Sequence, residues 1–172
     1  MAVKIAINGF GRIGRLVLRA LIESGRTDVE PVLINDLGSV ADNAHMFRYD
    51  SVHGRFPGTV EVQGDSLVIT HNGRTYAPIK VTAERDPSKV PLQGVDVAME
   101  CTGLFTKREA AAQLLAAGAR KVVVSAPADG VDATIVFGVN HKSLTKEMQV
   151  ISNASCTCLL YTSDAADEED SV

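Results

Sequence analysis

The period of the apolar positions changes several times along the chain, and each change marks an element. Val3, Ile5 and Ile7 alternate with shorter or more polar neighbours, the two-residue period of a strand. From Arg12 to Ser24 the apolar residues Ile13, Leu16, Val17, Ala20 and Leu21 fall at helical spacing instead. Glu30 to Asn35, with Val32, Leu33 and Ile34, predicts a second strand. Ser39-Val40-Ala41-Asp42 has the form of a capping box, opening a helix through Ala44, Met46 and Phe47. Tyr49 to Gly54 reads as loop. Thr59 to Val62 and Leu67 to Thr70 alternate around Gly64-Asp65, the pattern of a hairpin, and Arg74 to Val81 offers one more strand.

Beyond this meander the strand–helix alternation resumes. Val90-Pro91 ends any helix there, and Val95 to Met99 predicts a strand. Thr106-Lys107-Arg108-Glu109 predicts a capped helix through Ala112, Leu115 and Ala116, stopped at Gly118. Lys121 to Ser125 holds three consecutive valines, suited to a sheet covered on both faces. Thr134 to Val139 and Met148 to Ile151 add two strands. The fold class predicted is α/β, a doubly wound, mostly parallel sheet with a short antiparallel insertion. No internal repeat is visible.

The join between the first strand and helix carries the chemistry. Gly9-Phe10-Gly11-Arg12-Ile13-Gly14 is Gly-x-Gly-x-x-Gly. In a Rossmann unit the first glycine makes the sharp turn, the second lets a pyrophosphate approach the backbone, and the third lets helix and strand pack closely. Unpaired N–H groups at the helix start would then face the phosphates. An ordinary strand-to-helix turn can use the same glycines, and an Asp after a strand is often a helix cap. What favours a dinucleotide site is the combination with Asp36, which follows the second strand 22 residues beyond Gly14. That is near the roughly 20 expected for the acid that holds the adenosine ribose. A carboxylate there would repel a 2′-phosphate, which favours NAD over NADP. Arg85, Thr102-Gly103 and Ser125-Ala126-Pro127 lie at or beside predicted strand ends, where cofactor would lie, although turn chemistry accounts for any one of them alone.

Composition narrows the setting. A chain of 172 residues with 45% hydrophobic content can bury a core of ordinary domain size. No apolar run approaches the roughly 18 residues of a membrane helix, and the N-terminus lacks the apolar core of a signal peptide. Cys101, Cys156 and Cys158 are an odd number of cysteines, which favours free thiols in a reducing compartment, so a cytoplasmic location is expected. The net charge of −4 is unevenly placed. Residues 158 to 172 hold five acids and no Lys or Arg, leaving 17 bases against 16 acids in residues 1 to 157. That near-neutral body offers no nucleic-acid patch.

Ser152-Asn153-Ala154-Ser155-Cys156-Thr157 follows the last strand, and polar capping residues there suit a helix starting near Cys156. A thiol at a helix N-terminus can see its pKa fall from about 8.5 to about 3.5–7.5, making a reactive thiolate. Spacing alone fits a half-buried structural cysteine equally well. Cys156-Thr157-Cys158 falls short of a four-ligand zinc site, so no metal is expected.

These blocks together resemble phosphorylating glyceraldehyde-3-phosphate dehydrogenase of the bacterial type. The resemblance rests on Ala6 to Arg15, Asn35-Asp36, Tyr49 to Gly54, Thr102 to Phe105, Val124 to Pro127 and Ser152 to Thr157, in family order. It implies an NAD-binding Rossmann domain over 1–151, the start of a catalytic segment at 152–157, and an off-family acidic tail over 158–172. Arg12 and Ile13 would border the pyrophosphate, Asp36 the ribose, and Arg85, Thr102 and Ser125 the rest of the groove. Cys156 would attack the aldehyde of glyceraldehyde 3-phosphate, and inorganic phosphate would release an acyl phosphate from the resulting thioester. Ser155 and Thr157 match positions that hold phosphate or substrate. An erythrose 4-phosphate enzyme and a non-catalytic NAD-binding module are the rival readings.

The likeness stops abruptly after Thr157. Cys158 to Asp164 departs from the family's continuation of the Cys156 helix, and the charge changes at the same point. Residues 158 to 172 are therefore expected to come from a truncated or misjoined reading frame. The family's general base, much of its phosphate site and most of the interface of its homotetramer have no counterpart here. General acid–base catalysis contributes about 10²–10⁴-fold. The resemblance thus implies negligible dehydrogenase activity and no retained tetramer for this polypeptide alone, with an exposed sheet face.

Overall fold

Burial rises along β1 (Val3–Asn8), whose Val3 and Lys4 face solvent while Ile5, Ala6 and Ile7 are buried. This and the next three elements form a strand–helix alternation in the computed structural model, which describes residues 2–153: α1 (Arg12–Glu23), β2 (Val29–Asn35) and α2 (Val40–Arg48). Five short strands follow: β3 (Tyr49–Asp50), β4 (Gly54–Arg55), β5 (Gly58–Gln63), β6 (Ser66–His71) and β7 (Arg74–Thr75). Then come β8 (Ile79–Thr82), β9 (Val97–Glu100), α3 (Arg108–Ala111), α4 (Gln113–Ala116), β10 (Lys121–Val124), β11 (Ala133–Thr134) and β12 (Val150–Ser152).

Among the described residues the main sheet has ten strands, in the order β11-β12-β10-β9-β1-β2-β8-β6-β5, with β7 paired to β6. From β11 to β8 every neighbouring pair is parallel; β6 and β5 then extend the sheet antiparallel. The chain leaves β1 for β2 and β8 on one side, then crosses back to β9, β10 and β12 on the other. That reversal opens a crevice over the carboxyl ends of β1 and β9, where ligands of doubly wound sheets bind. The predicted fold class holds, with the hairpin joined to the edge of the parallel sheet.

Two cores sandwich the sheet. On one face Leu18 and Ile22 of α1 and Ala44 and Phe47 of α2 cover Ile7 and Ile34. Phe10, Phe47 and Phe56 continue that core as a chain of rings, 6.1 and 4.9 Å between successive centroids. On the other face Ala111, Leu114 and Ala117 pack with Ala6, Leu33, Ala98, Val122 and Val150.

Several sequence expectations are corrected here. The buried residues of α1 are Gly14, Leu18, Arg19 and Ile22, displaced from the predicted Ile13, Leu16, Val17, Ala20 and Leu21, of which Ile13 and Ala20 are exposed and the other three half-buried. Close approach of Gly14 to the glycine turn sets that rotation. Tyr49 to Gly54 is not plain loop, since β3 and β4 pair as a small antiparallel sheet. The predicted strand from Arg74 to Val81 is two strands, β7 on β6 and β8 on β2, separated at Ala77-Pro78, where proline has no N–H for a ladder. Thr106 does not cap a helix: Lys107 is the N-cap, with no side-chain cap, and the helix is split at Ala112. Thr134 to Val139 is strand only to Thr134. Beyond it Asn140 turns the chain, its Oδ1 accepting from Val136 N and its Nδ2 donating to Thr134 O. Val123 is half-buried rather than enclosed, because among the described residues no helix covers its face of β10.

Candidate cofactor groove

Four adjacent strands end in a polar residue: Thr82 closes β8, Asn35 closes β2, Asn8 closes β1 and Glu100 closes β9. At these positions a side chain is deep enough to be desolvated and high enough to meet the crevice. They satisfy one another. Thr82 Oγ1 donates to Asn35 Oδ1 at 2.9 Å, Asn35 Nδ2 donates to Asn8 Oδ1 at 2.7 Å, and Asn8 Nδ2 donates to Glu100 Oε2. Glu100 Oε1 then accepts from the Thr102 N–H at 2.8 Å and from the Thr102 hydroxyl. Burial pushes the Glu100 carboxyl up from its ordinary range, against the hydrogen bonds from Thr102 and Asn8 that favour its charged form.

Above this row lies a groove of about 310 Å³. Gly9, Gly11, Asn35, Asp36, Glu84 and Arg85 line it toward β2 and β8; Cys101, Thr102, Leu104 and Phe105 line it toward β9. The glycine turn is shaped by contact. Gly9 has φ +92°, and a Cβ there would sit 2.7 Å from Thr102 N. A Cβ on Gly14 would lie 2.1 Å from Gly9 O, so only glycine lets α1 dock this close to the turn. Gly11 meets nothing within 4 Å, and as N-cap of α1 it brings no side-chain cap to the helix amides. An open space before an uncapped helix N-terminus suits a diphosphate.

Asp36 lines this groove beside the glycine turn. Its Oδ2 accepts from Phe10 N and its Oδ1 from Gly38 N, both at 2.8 Å, so the carboxylate is fixed beside the glycine turn. Arg12 points elsewhere. Its guanidinium forks onto Asp50, at 2.8 and 3.3 Å, and neither Arg12 nor Ile13 lines the groove. The amides of His53 and Val52, with Arg12, hold the Asp50 carboxyl down at about 2. The buried Arg19 ties the same segment to α1, donating to the carbonyls of His53, Gly54 and Arg55.

The structure therefore gathers Gly9, Gly11, Asp36, Arg85 and Thr102 into one groove, with Gly14 beneath the turn. Ser125 lies one layer back: its N–H donates to Glu100 O at 2.9 Å, and it does not line the groove. Ser155, Cys156 and Thr157 lie outside the described residues. Among the described residues there is no cluster of metal-ligating side chains, and no helix is long and apolar enough to cross a membrane. Cys101 is the cysteine in the groove, but burial pushes its thiol up to about 11, leaving it protonated and unreactive at neutral pH. Sequence reasoning missed Asn8, Asn35 and Glu100. The available signal was a polar residue ending each of several apolar strands.

Comparison with known proteins decides which dinucleotide fold this is. The family model described as glyceraldehyde 3-phosphate dehydrogenase, NAD binding domain, matches residues 3–108. The chain belongs to the glyceraldehyde-3-phosphate dehydrogenase family. It is 65% identical over 159 residues to the glyceraldehyde-3-phosphate dehydrogenase of Xanthobacter flavus, covering 91% of this chain and 46% of that protein. Against the same-named protein of Thermotoga maritima the identity is 51% over 156 residues, with 90% and 45% covered. The chain thus spans about half the length of the curated relatives it matches. The matched domain is the family's NAD-binding domain, so the cofactor is NAD. The open space at Gly11, the uncapped start of α1 and the fixed Asp36 carboxylate fit that group.

Proposed function

We propose that this chain supplies the cofactor-holding part of a phosphorylating dehydrogenase that oxidises glyceraldehyde 3-phosphate to an acyl phosphate in the cytoplasm. The observation that carries the reading is the single groove over β1 and β9 that joins the glycine turn, Asp36, Arg85 and Thr102. Residues 1–151 form the NAD domain, 152–157 begin the catalytic segment, and 158–172 are off-family. Beside the Gly9 turn, whose own N–H is taken by Asn35 O, the amides of Gly11, Arg12 and Ile13 receive the diphosphate through main-chain N–H groups, since the Arg12 side chain is engaged by Asp50. Asp36 accepts from the adenosine ribose hydroxyls and repels a 2′-phosphate. Arg85 closes the adenosine end, while Thr102 and, behind it, Ser125 shape the other end.

NAD, when bound, supplies a hydride acceptor. The chain's own chemistry resides in Cys156, whose thiolate adds to the aldehyde carbon. Loss of hydride from that carbon leaves a thioester, and inorganic phosphate displaces the thiolate to give the acyl phosphate. Ser155 and Thr157 hold the phosphate or substrate, and the Cys156 N–H serves as an oxyanion donor, a role worth about 2.7–4 kcal/mol where measured. The full-length family protein acts as a homotetramer on small-molecule substrates, with neither nucleic acid nor membrane as partner.

Calorimetric titration of NAD, paired with an assay of glyceraldehyde 3-phosphate oxidation with phosphate, tests this reading. The same assay with erythrose 4-phosphate tests its enzymatic rival. Absence of NAD binding overturns the proposal. Tight NAD binding by a full-length form that oxidises neither aldehyde assigns the chain to a non-catalytic module instead.

A further inference from the structure

The pairing of β2 with β8 stops where the groove begins. Their register runs through Leu33–Lys80 and Ile34–Val81 to Asn35–Thr82, and the last main-chain bond between them is from Asp36 N to Thr82 O at 2.9 Å. Beyond it the two backbones pair no further. The residues that follow, Asp36 and Leu37 on one side and Glu84 and Arg85 on the other, line the groove. A sheet that splays in this way leaves main-chain groups without a ladder partner. On the β8 side the partner is the Asn35 side chain: its Oδ1 accepts from Glu84 N and its Nδ2 donates to Glu84 O, both at 2.8 Å. A carboxamide presents a donor and an acceptor side by side, so this side chain makes the rung that the β2 backbone no longer supplies.

The clamp itself is rigid. Thr82 Oγ1 donates to the same Oδ1 at 2.9 Å, and the second proton of Nδ2 goes to Asn8 Oδ1 at 2.7 Å. Asn35 is 4% exposed, and all four of its hydrogen-bonding positions are used. What it holds is otherwise loose. Ala83, Glu84 and Arg85 are exposed, and among the described residues no other hydrogen bond reaches their main chain. The next buried residue is Pro87. The Arg85 guanidinium lines the groove without a hydrogen bond or ion pair among the described residues, so its place depends on the backbone that carries it.

We propose that Asn35 is a positioning residue: by clamping the Glu84 main chain it fixes Arg85 at the adenosine end of the groove, and so sets affinity for the adenosine half of NAD through Arg85. This rests on the groove being the NAD site with Arg85 at that end. Leucine at position 35 would match the shape of asparagine and offer neither donor nor acceptor. The Glu84 N–H and C=O would then find partners only in water, which draws the segment out of the groove and takes Arg85 with it. Aspartate would set an oxygen against both Glu84 O and Asn8 Oδ1, two acceptors that cannot pair with it.

The test is a double-mutant cycle read by calorimetric titration of ADP, which carries only adenosine and diphosphate, into the 172-residue chain and its variants. Asn35→Leu and Arg85→Ala are each expected to weaken ADP about fivefold or more. The double variant is expected to bind within about twofold of Arg85→Ala alone, because the clamp has nothing left to position. A loss that came only from general damage to the sheet would persist without Arg85. Glu84→Pro deletes the clamped N–H from the exposed side and leaves the core alone; it stands in, with the same expectations, if Asn35→Leu fails to fold. Residue-resolved amide exchange of the wild-type chain reads the clamp directly: the Glu84 amide is expected to be as protected as those within β8. A Glu84 amide that exchanges like an unbonded loop amide overturns the proposal. So does a folded Asn35→Leu variant with unchanged ADP affinity, or a double variant in which the two losses add. An Arg85→Ala variant that binds ADP as tightly as wild type, or a wild-type chain that binds no ADP, overturns the underlying reading of the groove, and the proposal with it.

Discussion

Gly11 and Gly14 look alike in the sequence and do different things in space. A methyl at Gly14 has nowhere to go, since it would lie 2.1 Å from the Gly9 carbonyl and 3.0 Å from Ile7 Cγ2. Gly14→Ala is therefore expected to destabilise the fold by about 1–3 kcal/mol, the usual range for overpacking, and to push α1 away from the turn. At Gly11 nothing lies within 4 Å, so Gly11→Ala should cost less than about 1 kcal/mol, chiefly through a poorer N-cap. Yet it should weaken NAD, because its methyl enters the groove. Thermal melts paired with NAD titration separate the two; a Gly11→Ala variant that melts far earlier but binds NAD normally would refute this division of roles. The glycine spacing was legible because it is local: turn, close approach and packing all follow from one short run of residues. Glu100 was illegible for the opposite reason. Its meaning depends on Asn8 and Asn35, which strand pairing brings beside it from distant parts of the chain.

The same contrast separates the two capping boxes that the sequence offered. Ser39 accepts from Asp42 N at 3.1 Å and starts α2 as its spacing predicts, although Asp42 takes the Ser39 hydroxyl rather than returning to its N–H. Thr106 has the same spacing and makes no cap. Its carbonyl accepts from Asp129 N and Arg108 N donates to Asp129 O, so a distant loop has taken over the start of that helix. A capping box is a local bid, and it fails where tertiary pairing offers the backbone a better partner. Ser39→Ala is expected to cost about 0.5–2 kcal/mol and Thr106→Ala much less, since no cap is lost there. Denaturant melts of the two variants check this, and equal losses would mean that Thr106 caps after all. The strand from Thr134 to Val139 failed in a related way. Alternation named it a strand, but Gly138 at φ +92° and the Asn140 turn carry Phe137 and Val139 out to 87% and 76% exposure.

Hydrophobic period sufficed for the doubly wound sheet because β1, β2, β9 and β10 are each buried runs separated by helices. It did not reveal which faces are covered. Three consecutive valines predicted enclosure on both sides of β10, whereas Val122 and Val124 point into the core under α3 and α4 and Val123 faces the other way. Register puts Met99, Val123 and Ile151 in one row across β9, β10 and β12. Met99 packs against the core on that face, while Val123 and Ile151, with Val97, Leu144 and Met148, line an apolar hollow of about 240 Å³ that no helix among the described residues fills. Flat apolar sheet of this kind is stable in water only when something covers it. In isolation the chain is therefore expected to self-associate through this face, with a weight-average sedimentation coefficient that climbs with protein concentration. Val123→Thr keeps the branched shape that suits a strand and adds a hydroxyl to the exposed row. It should shift the chain toward monomer while leaving NAD affinity unchanged, because the groove lies at the carboxyl ends of the strands and the hollow on their face. Sedimentation velocity across a concentration series decides it: a wild-type chain that stays monomeric throughout, or a Val123→Thr variant that associates equally, would place the sticky surface elsewhere.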